Sequence, residues 1–396
     1  MNNEQIQKKH IVIVGGGFAS VKLALELSHD PHFEVSLISP HDQLEYHGAL
    51  YRSATGRSPL EVVIPFREIF GDEPSINIIN DFATDLRAQT KEIKCQSGRV
   101  YSYDALVLGL GYEIEYFGIR GMREHAQSIY TIFDTITLRN KLRDKLIQKA
   151  GQQCHIVMIG AGPTGIEVAS DMGFFANLVA EKHNVPASIP KVTVVDRAPR
   201  VLPTFLPEVS EIASARLNEL GVETLLNIEV DHCTSKHLCL KTGNPLPADV
   251  VVWSAGSRAN SFFERYPDIF TLDPKKRVVV NEYMQANSPD IYVVGDSAST
   301  QYSGMAQTAI TDAIQLADNF KRFSEGQPIE EYSPKQPVYV VPIGHEWAVA
   351  QVGETISSGS EGWKIRRDAD RFVFDSFLPT ELAEKHWQKA FQIATI

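Results

Sequence analysis

The 396-residue chain reads as an α/β protein with two similar parallel-sheet units and a small C-terminal α+β region. Three observations carry this reading. The segment His10-Ile-Val-Ile-Val-Gly15-Gly16-Gly17-Phe-Ala-Ser20 recurs 145 residues on as His155-Ile-Val-Met-Ile-Gly160-Ala161-Gly162-Pro-Thr-Gly165, which marks an internal duplication. Helical periodicity follows each copy, through Val21, Leu23, Ala24, Leu25 and Leu27 in the first and Ile166, Val168, Ala169 and Met172 in the second. Ala105-Leu-Val-Leu108 and Asp249-Val-Val-Val-Trp253 are continuous apolar runs, the pattern of strands buried on both faces of a parallel sheet.

The elements follow in order. A short β-branched run, a tight glycine loop and then a helix is the context that dinucleotide binding requires. The first glycine permits the turn and the second lets a pyrophosphate approach the backbone. The helix N-terminus then offers unpaired N–H groups and a partial positive charge. The two units are therefore expected to be Rossmann-like dinucleotide-binding domains. Glu34–Ser39 and Lys191–Asp196 read as their second strands, and Asp290–Asp296 as another strand. Asp134–Lys149 reads as a helix leading into the second unit. Gly160 and Asp196 lie farther apart than the simple fingerprint's roughly 20 residues, and the excess is read as a surface excursion around Asn177–Pro190. The Pro-marked segment Gln327–Pro337 opens the last region, where Val338-Tyr-Val-Val and Arg371-Phe-Val-Phe alternate as antiparallel strands do. The final helix, Pro379–Ile396, carries Leu382, Ala383, Trp387, Ala390, Phe391 and Ala394 on one face, which fits docking on the core or lying on a membrane surface.

Composition excludes other classes. The apolar fraction is 43% and the charged fraction 22%, ordinary for a cored protein. A net charge of −11 disfavours nonspecific binding to nucleic acid. No run approaches the roughly 18 apolar residues of a membrane span, and the polar N-terminus lacks a signal-peptide core, so a cytoplasmic location is expected. Cys95, Cys154, Cys233 and Cys239 form no CxxC pair, which argues against disulfide chemistry and against metal sites.

Five ordered segments resemble the two-dinucleotide-binding-domain flavoproteins, and among them the type II NADH dehydrogenases. They are Tyr103-Asp-Ala-Leu-Val-Leu-Gly-Leu-Gly111, Phe117-Gly-Ile-Arg-Gly121, Pro247-Ala-Asp-Val-Val-Val-Trp-Ser-Ala-Gly256, Pro289-Asp-Ile-Tyr-Val-Val-Gly-Asp296 and Tyr46–Gly56. The resemblance implies FAD in the first unit and NADH in the second. It also implies a discontinuous FAD domain (1–118 and 254–325), an inserted NAD(P)H domain (119–253) and a C-terminal region (326–396).

The same resemblance assigns roles to residues. Gly15, Gly17, Phe18, Ala19, Ser39, Ala83, Gly111, Gly295, Asp296 and Ala306 are expected at FAD. Gly160, Gly162, Thr164, Gly165, Asp196 and Gly256 are expected at the nicotinamide dinucleotide. Ser20 stands where the third glycine would be, and Ser39 where an acidic residue is usual, with Asp42 as a substitute. Asp196 should take the adenosine ribose hydroxyls and favour NADH, with Arg197 and Arg200 as possible counterweights. Asp296 is expected either at the flavin or as a helix N-cap. Glu167, read as lying in the first helical turn, and Gln307 are the catalytic candidates. The family's A-Q-x-A-x-Q-Q run reads Ala306-Gln307-Thr308-Ala309-Ile310-Thr311-Asp312 here, and Trp347 stands where a basic residue is usual. The implied activity is hydride transfer from NADH to flavin, then electron transfer to a quinone, with peripheral membrane contact and a homodimer as companion expectations. A soluble NADH oxidase or diaphorase and a redox-sensing flavoprotein stay open.

Overall fold

The structure is a computed structural model that describes residues 8–71 and 76–390. Two five-stranded sheets dominate it, and every pairing in both is parallel. The first runs Ile291–Val293, Ala105–Leu108, Lys9–Val14, Phe33–Ser39, Ile76–Asn80. The second runs Ala126–Ser128, Val250–Trp253, Gln153–Ile159, Ile189–Val195, Glu223–Leu225. Tyr112–Ile114 and Ser257–Ala259, the outward and return connections between the sheets, pair antiparallel with one another.

The apolar runs are continuous because both faces of each sheet are covered. Strand side chains alternate faces. Ile11, Ile13, Val35, Leu37 and Val107 therefore enter the main core, whereas Val12, Val14, Ile38, Leu106 and Leu108 enter a second one. Ile156, Met158, Val250 and Val252 likewise join the main core, and Val157, Ile159, Val251 and Trp253 a third. The helices Phe18–Ser28, Pro163–His183 and Ala306–Ser324 all contribute to the main core, which is shared by the two sheet units.

Gly15 and Gly160 hold φ of +119° and +114°, a region that L side chains avoid. A Cβ on Gly15 would collide with the Gly109 carbonyl, and one on Gly160 would press on Ser254 at 2.8 Å.

Two expectations are corrected. The excess length between Gly160 and Asp196 is no surface excursion. It is helix, continuing from Pro163 to His183 with an apolar face buried as far as Val179. Arg371-Phe-Val-Phe is not a strand but the third quarter of the helix Ser360–Phe377. There Val373, Phe374 and Phe377 pack inward at helical spacing, and the actual strands are Tyr339–Pro342, Ala348–Val352 and Thr355–Gly359. The final helix is Thr380–Lys389, docked on the chain's own core through Ala383, Leu382 and Trp387, with the Trp387 indole N–H donating to the Arg367 carbonyl at 3.1 Å. Phe391 and Ala394 lie outside the described residues.

Candidate functional site

A cavity of about 1560 Å³ opens where three helices begin. Phe18–Ser28 starts after Gly17, Pro163–His183 after Gly162 and Ala306–Ser324 after Met305, and none of the three has a side-chain cap. Their first N–H groups are thus left for a ligand, and their dipoles favour negative charge in the space between. Phe18, Pro163 and Ala306 all line that space.

The glycines of the first loop divide by role. Gly15 is demanded by the fold, as its positive φ requires. Gly17 is not: its φ is −87°, and a Cβ there would meet nothing within 4 Å. The empty volume over Gly17 is on the cavity side, a cradle that a side chain would fill. Gly162 repeats this, with φ −77° and open space around a Cβ. These two positions fit dinucleotide phosphates held against bare backbone.

The structure brings most of the expected residues together. Gly15, Gly17, Phe18, Ala19, Ser39, Ala83, Gly111, Gly295, Asp296, Ala306 and Gln307 line the cavity, and so do Thr164 and Glu167 from the second unit. Ser39 is buried, its hydroxyl donating to the His41 carbonyl at 2.8 Å. Asp42 is exposed and does not line the cavity. Asp296 accepts from the Gly304 N–H at 3.1 Å and caps no α-helix, because the next one starts at Ala306. Gln307 is tied down by the Val338 N–H at 2.9 Å.

Other residues fall outside. Gly160, Gly162, Gly165 and Asp196 do not line the main cavity. Gly256 lines a neighbouring cleft of about 350 Å³ that shares Thr164, Tyr112, Tyr130 and Asp296 with it. The Asp196 carboxylate accepts from Ala161 N–H at 2.6 Å and Ala198 N–H at 2.8 Å, which sets it at the lip of the second glycine loop. The Arg200 guanidinium is committed to the carbonyls of Leu202, Pro203, Phe205 and Leu206, and Arg197 stands over the Phe117 ring. Trp347 does not line the cavity and packs under Arg216.

Glu167 is the titratable group at the inner wall. It lies in the second turn of its helix, not the first, so the helix terminus does not account for an acid there. Only 6% of it is exposed, and burial pushes its carboxyl up to about 8 against the pull of Arg366. Burial thus favours its protonated form. Arg366 Nη1 stands 3.5 Å from Glu167 Oε1, while Nη2 donates to the Gly48 carbonyl at 2.6 Å and Nε to Asp370 at 3.2 Å.

Arg366 is the candidate site residue that sequence reasoning missed. It supplies the cationic side chain at the inner wall that Trp347 seemed to remove. The signal was the pair Arg366 and Asp370, four apart on an otherwise inward-facing stripe. Ala369, Val373, Phe205 and Tyr339 give this end of the cavity an apolar wall.

None of the four cysteines lines the cavity. Cys95, Cys154 and Cys233 are buried free thiols, each pushed up to about 11 by burial, and so are poor nucleophiles.

Residues 9–313 match the pyridine nucleotide-disulphide oxidoreductase family. The chain belongs to that family. It is an oxidoreductase with two Rossmann-like units, as the sequence led us to expect. The type II NADH:quinone oxidoreductase of Staphylococcus saprophyticus is 28% identical over 346 residues, covering 82% of this chain and 85% of its own. That of Staphylococcus aureus (strain MSSA476) is 26% identical over 388 residues, covering 93% and 96%. In fold, the chain resembles NDH2 of Plasmodium falciparum in complex with NADH, with TM-score 0.84 at 17% identity over 97% of this chain and 98% of that one. It also resembles the sulfide:quinone oxidoreductase of Aquifex aeolicus, with TM-score 0.79 at 18% identity over 98% and 96%.

Proposed function

We propose that the chain is an FAD-dependent NADH:quinone oxidoreductase. The observation that carries this reading is the continuity of the cavity. One space touches the first glycine loop, the start of the second unit's helix and the apolar C-terminal wall. A donor, a flavin and an acceptor can thus be held in one space, where orientation supplies much of the rate.

Bound FAD supplies a ring that takes a hydride and returns electrons to an acceptor. The chain's own residues bind and orient. Backbone N–H groups after Gly15 and Gly17 hold the diphosphate, Ser39 and Ala83 border the adenosine end, and Gly111, Gly295, Asp296 and Ala306 border the rest. Gly160, Gly162, Thr164, Gly165 and Gly256 position NADH, with Asp196 at its adenosine ribose. With Arg200 committed elsewhere, Asp196 disfavours a 2′-phosphate, so NADH is preferred over NADPH. In this reading residues 1–118 and 254–325 form the FAD domain, 119–253 the NADH domain and 326–396 the acceptor wall.

Reduction of a quinone by NADH consumes one proton beyond the hydride. Glu167, whose protonated form burial favours, gives that proton from its carboxyl to the acceptor oxygen, while Arg366 steadies the carboxylate left behind. Gln307, fixed by Val338, orients the flavin side of the same space. A membrane quinone would be met by peripheral contact at the cytoplasmic face, and the enzyme would work as a homodimer. No helix among the described residues is long and apolar enough to cross a membrane.

NADH oxidation by the purified protein, with a short-chain quinone and with oxygen alone, tests the reading. Turnover should require the quinone. Equal turnover with oxygen would instead identify an oxidase, and bleaching of the flavin without turnover by either would identify a sensor.

A further inference from the structure

Phe117 opens the Phe117-Gly-Ile-Arg-Gly121 run and holds φ of +51°, the left-handed region that a bulky side chain avoids. Its N–H donates to the Glu115 carboxylate at 2.8 Å, and Glu115 in turn pairs with Arg258 at 3.7 Å, so the turn is kept in this conformation. The aromatic ring is nevertheless 54% exposed. Burial of the ring therefore does not account for the strain, and strain of this kind gathers at functional positions.

The turn lays the ring against the strand end Trp253–Gly256, which borders the second glycine loop. A Cβ on Gly256 would come within 2.6 Å of the Phe117 ring, and the Trp253 ring packs beside it at 6.2 Å between centroids. Over the ring stands the Arg197 guanidinium, 5.8 Å from the centroid, within reach of a cation–π contact. Arg197 directly follows Asp196, whose carboxylate is fixed at the lip of the loop by the Ala161 and Ala198 N–H groups. Among the described residues Arg197 makes no hydrogen bond or ion pair, so the Phe117 ring and, without contact, the charge of Glu229 are what hold it. An arginine beside this ribose position is the side chain with which a dinucleotide fold receives a 2′-phosphate. Here that arginine lies on an aromatic face instead.

We infer that Phe117 is a positioning residue that sets nucleotide selectivity: its strained turn parks Arg197 on the ring face and so withholds a cation that would otherwise receive the 2′-phosphate of NADPH. Asp196 and Phe117 then exclude the phosphate by different means. Asp196 repels it directly, and Phe117 removes the compensation. Asp196 meets the ribose of either nucleotide, whereas Phe117 acts through Arg197 and bears on the phosphorylated one alone. The inference rests on the reading of Asp196 as the adenosine-ribose partner, but not on the identity of the electron acceptor.

Calorimetric titration of the flavin-loaded protein with NAD⁺ and with NADP⁺, which leave the flavin oxidised, tests it. Phe117→Gly suits the positive φ and removes the ring. It should bind NADP⁺ about fivefold more tightly than wild type, while NAD⁺ stays within about twofold. The gain should fade at high salt, because it comes from an exposed charge contact. Adding Arg197→Gln to Phe117→Gly should abolish it, and Phe117→Tyr, which keeps a ring face, should retain wild-type selectivity. An NADP⁺ affinity unmoved in Phe117→Gly, or a gain that survives Arg197→Gln, overturns the inference. So does an equal loss for NAD⁺ and NADP⁺, which would make the ring a seat for the adenosine half of both. Asp196→Ala decides the underlying reading separately: it should weaken NAD⁺ binding, and an NAD⁺ affinity unmoved there would mean that Asp196 is not the ribose partner, whatever Phe117→Gly shows.

Discussion

Ser20 and Gly109 face each other across the first glycine loop, and Gly165 and Ser254 face each other across the second with the residues exchanged. A Cβ on Gly109 would collide with the Ser20 hydroxyl, and a Cβ on Gly165 would collide with the Gly160 carbonyl and come within 2.7 Å of Ser254 Oγ. Both pairs are related by the 145-residue repeat. Each unit has room for one side chain between the helix start and the neighbouring strand end, and each fills it from the opposite side. The serine at position 20, where the nucleotide fingerprint has glycine, thus depends on Gly109 having no side chain.

Gly109→Ser should therefore destabilise the chain by about 1–3 kcal/mol through overpacking. Adding Ser20→Gly should recover most of that loss, whereas Ser20→Gly alone should change little. Urea midpoints of the two single variants and the double variant measure the coupling. Additive losses would refute the exchange.

The two roles of glycine in the first loop separate in the same way. Gly15→Ala should unfold or fail to express, because its φ of +119° and the Gly109 carbonyl leave no room. Gly17→Val should fold with unchanged circular dichroism and yet lose flavin absorbance. A flavin-loaded Gly17→Val protein would show that the open space over Gly17 is not the diphosphate seat.

Glu167 makes stability depend on pH with a definite sign. Unfolded, it gives up its proton near its ordinary 4.5, but folded it keeps it to about 8. Between these values the folded chain binds a proton that the unfolded chain lacks, so Glu167's contribution to stability falls as pH rises through the window. Relative to wild type, Glu167→Gln should gain stability steadily from pH 5 to about 8, measured by denaturant midpoints. A difference that stays flat across that range would mean Glu167 ionises normally.

Asp370 is the counter-charge that the buried arginines depend on. Asp370→Asn should cost about 3–5 kcal/mol, because it strips Arg52 and Arg366 of a desolvated partner. Glu229→Gln, which breaks the exposed pair with Lys241, should leave the urea midpoint unmoved. A mild effect of Asp370→Asn would mean that water reaches the cluster.

The sheets and both glycine loops were legible because their signals are local. Lys9–Val14 and Gln153–Ile159 announce themselves by β-branched runs, and the turns by glycines within four residues. The inner wall was not legible, since Arg366 meets Glu167 across 199 residues and Arg52 meets Asp370 across 318. The helix that carries Arg366 and Asp370 was also hidden. Two of its inward positions are charged, so apolar periodicity stops short, and Phe372-Val-Phe374 within it is an aromatic and β-branched run that reads as strand.

Arg52 is placed early in the chain and Asp370 near its end. A growing polypeptide thus carries a guanidinium destined for the dry interior long before the ribosome delivers the group that neutralises it. Shortened products ending before residue 370 can lay down both sheets but must either leave that region hydrated or bury a naked cation. The inner wall is accordingly completed only late in synthesis, once the helix Ser360–Phe377 has emerged.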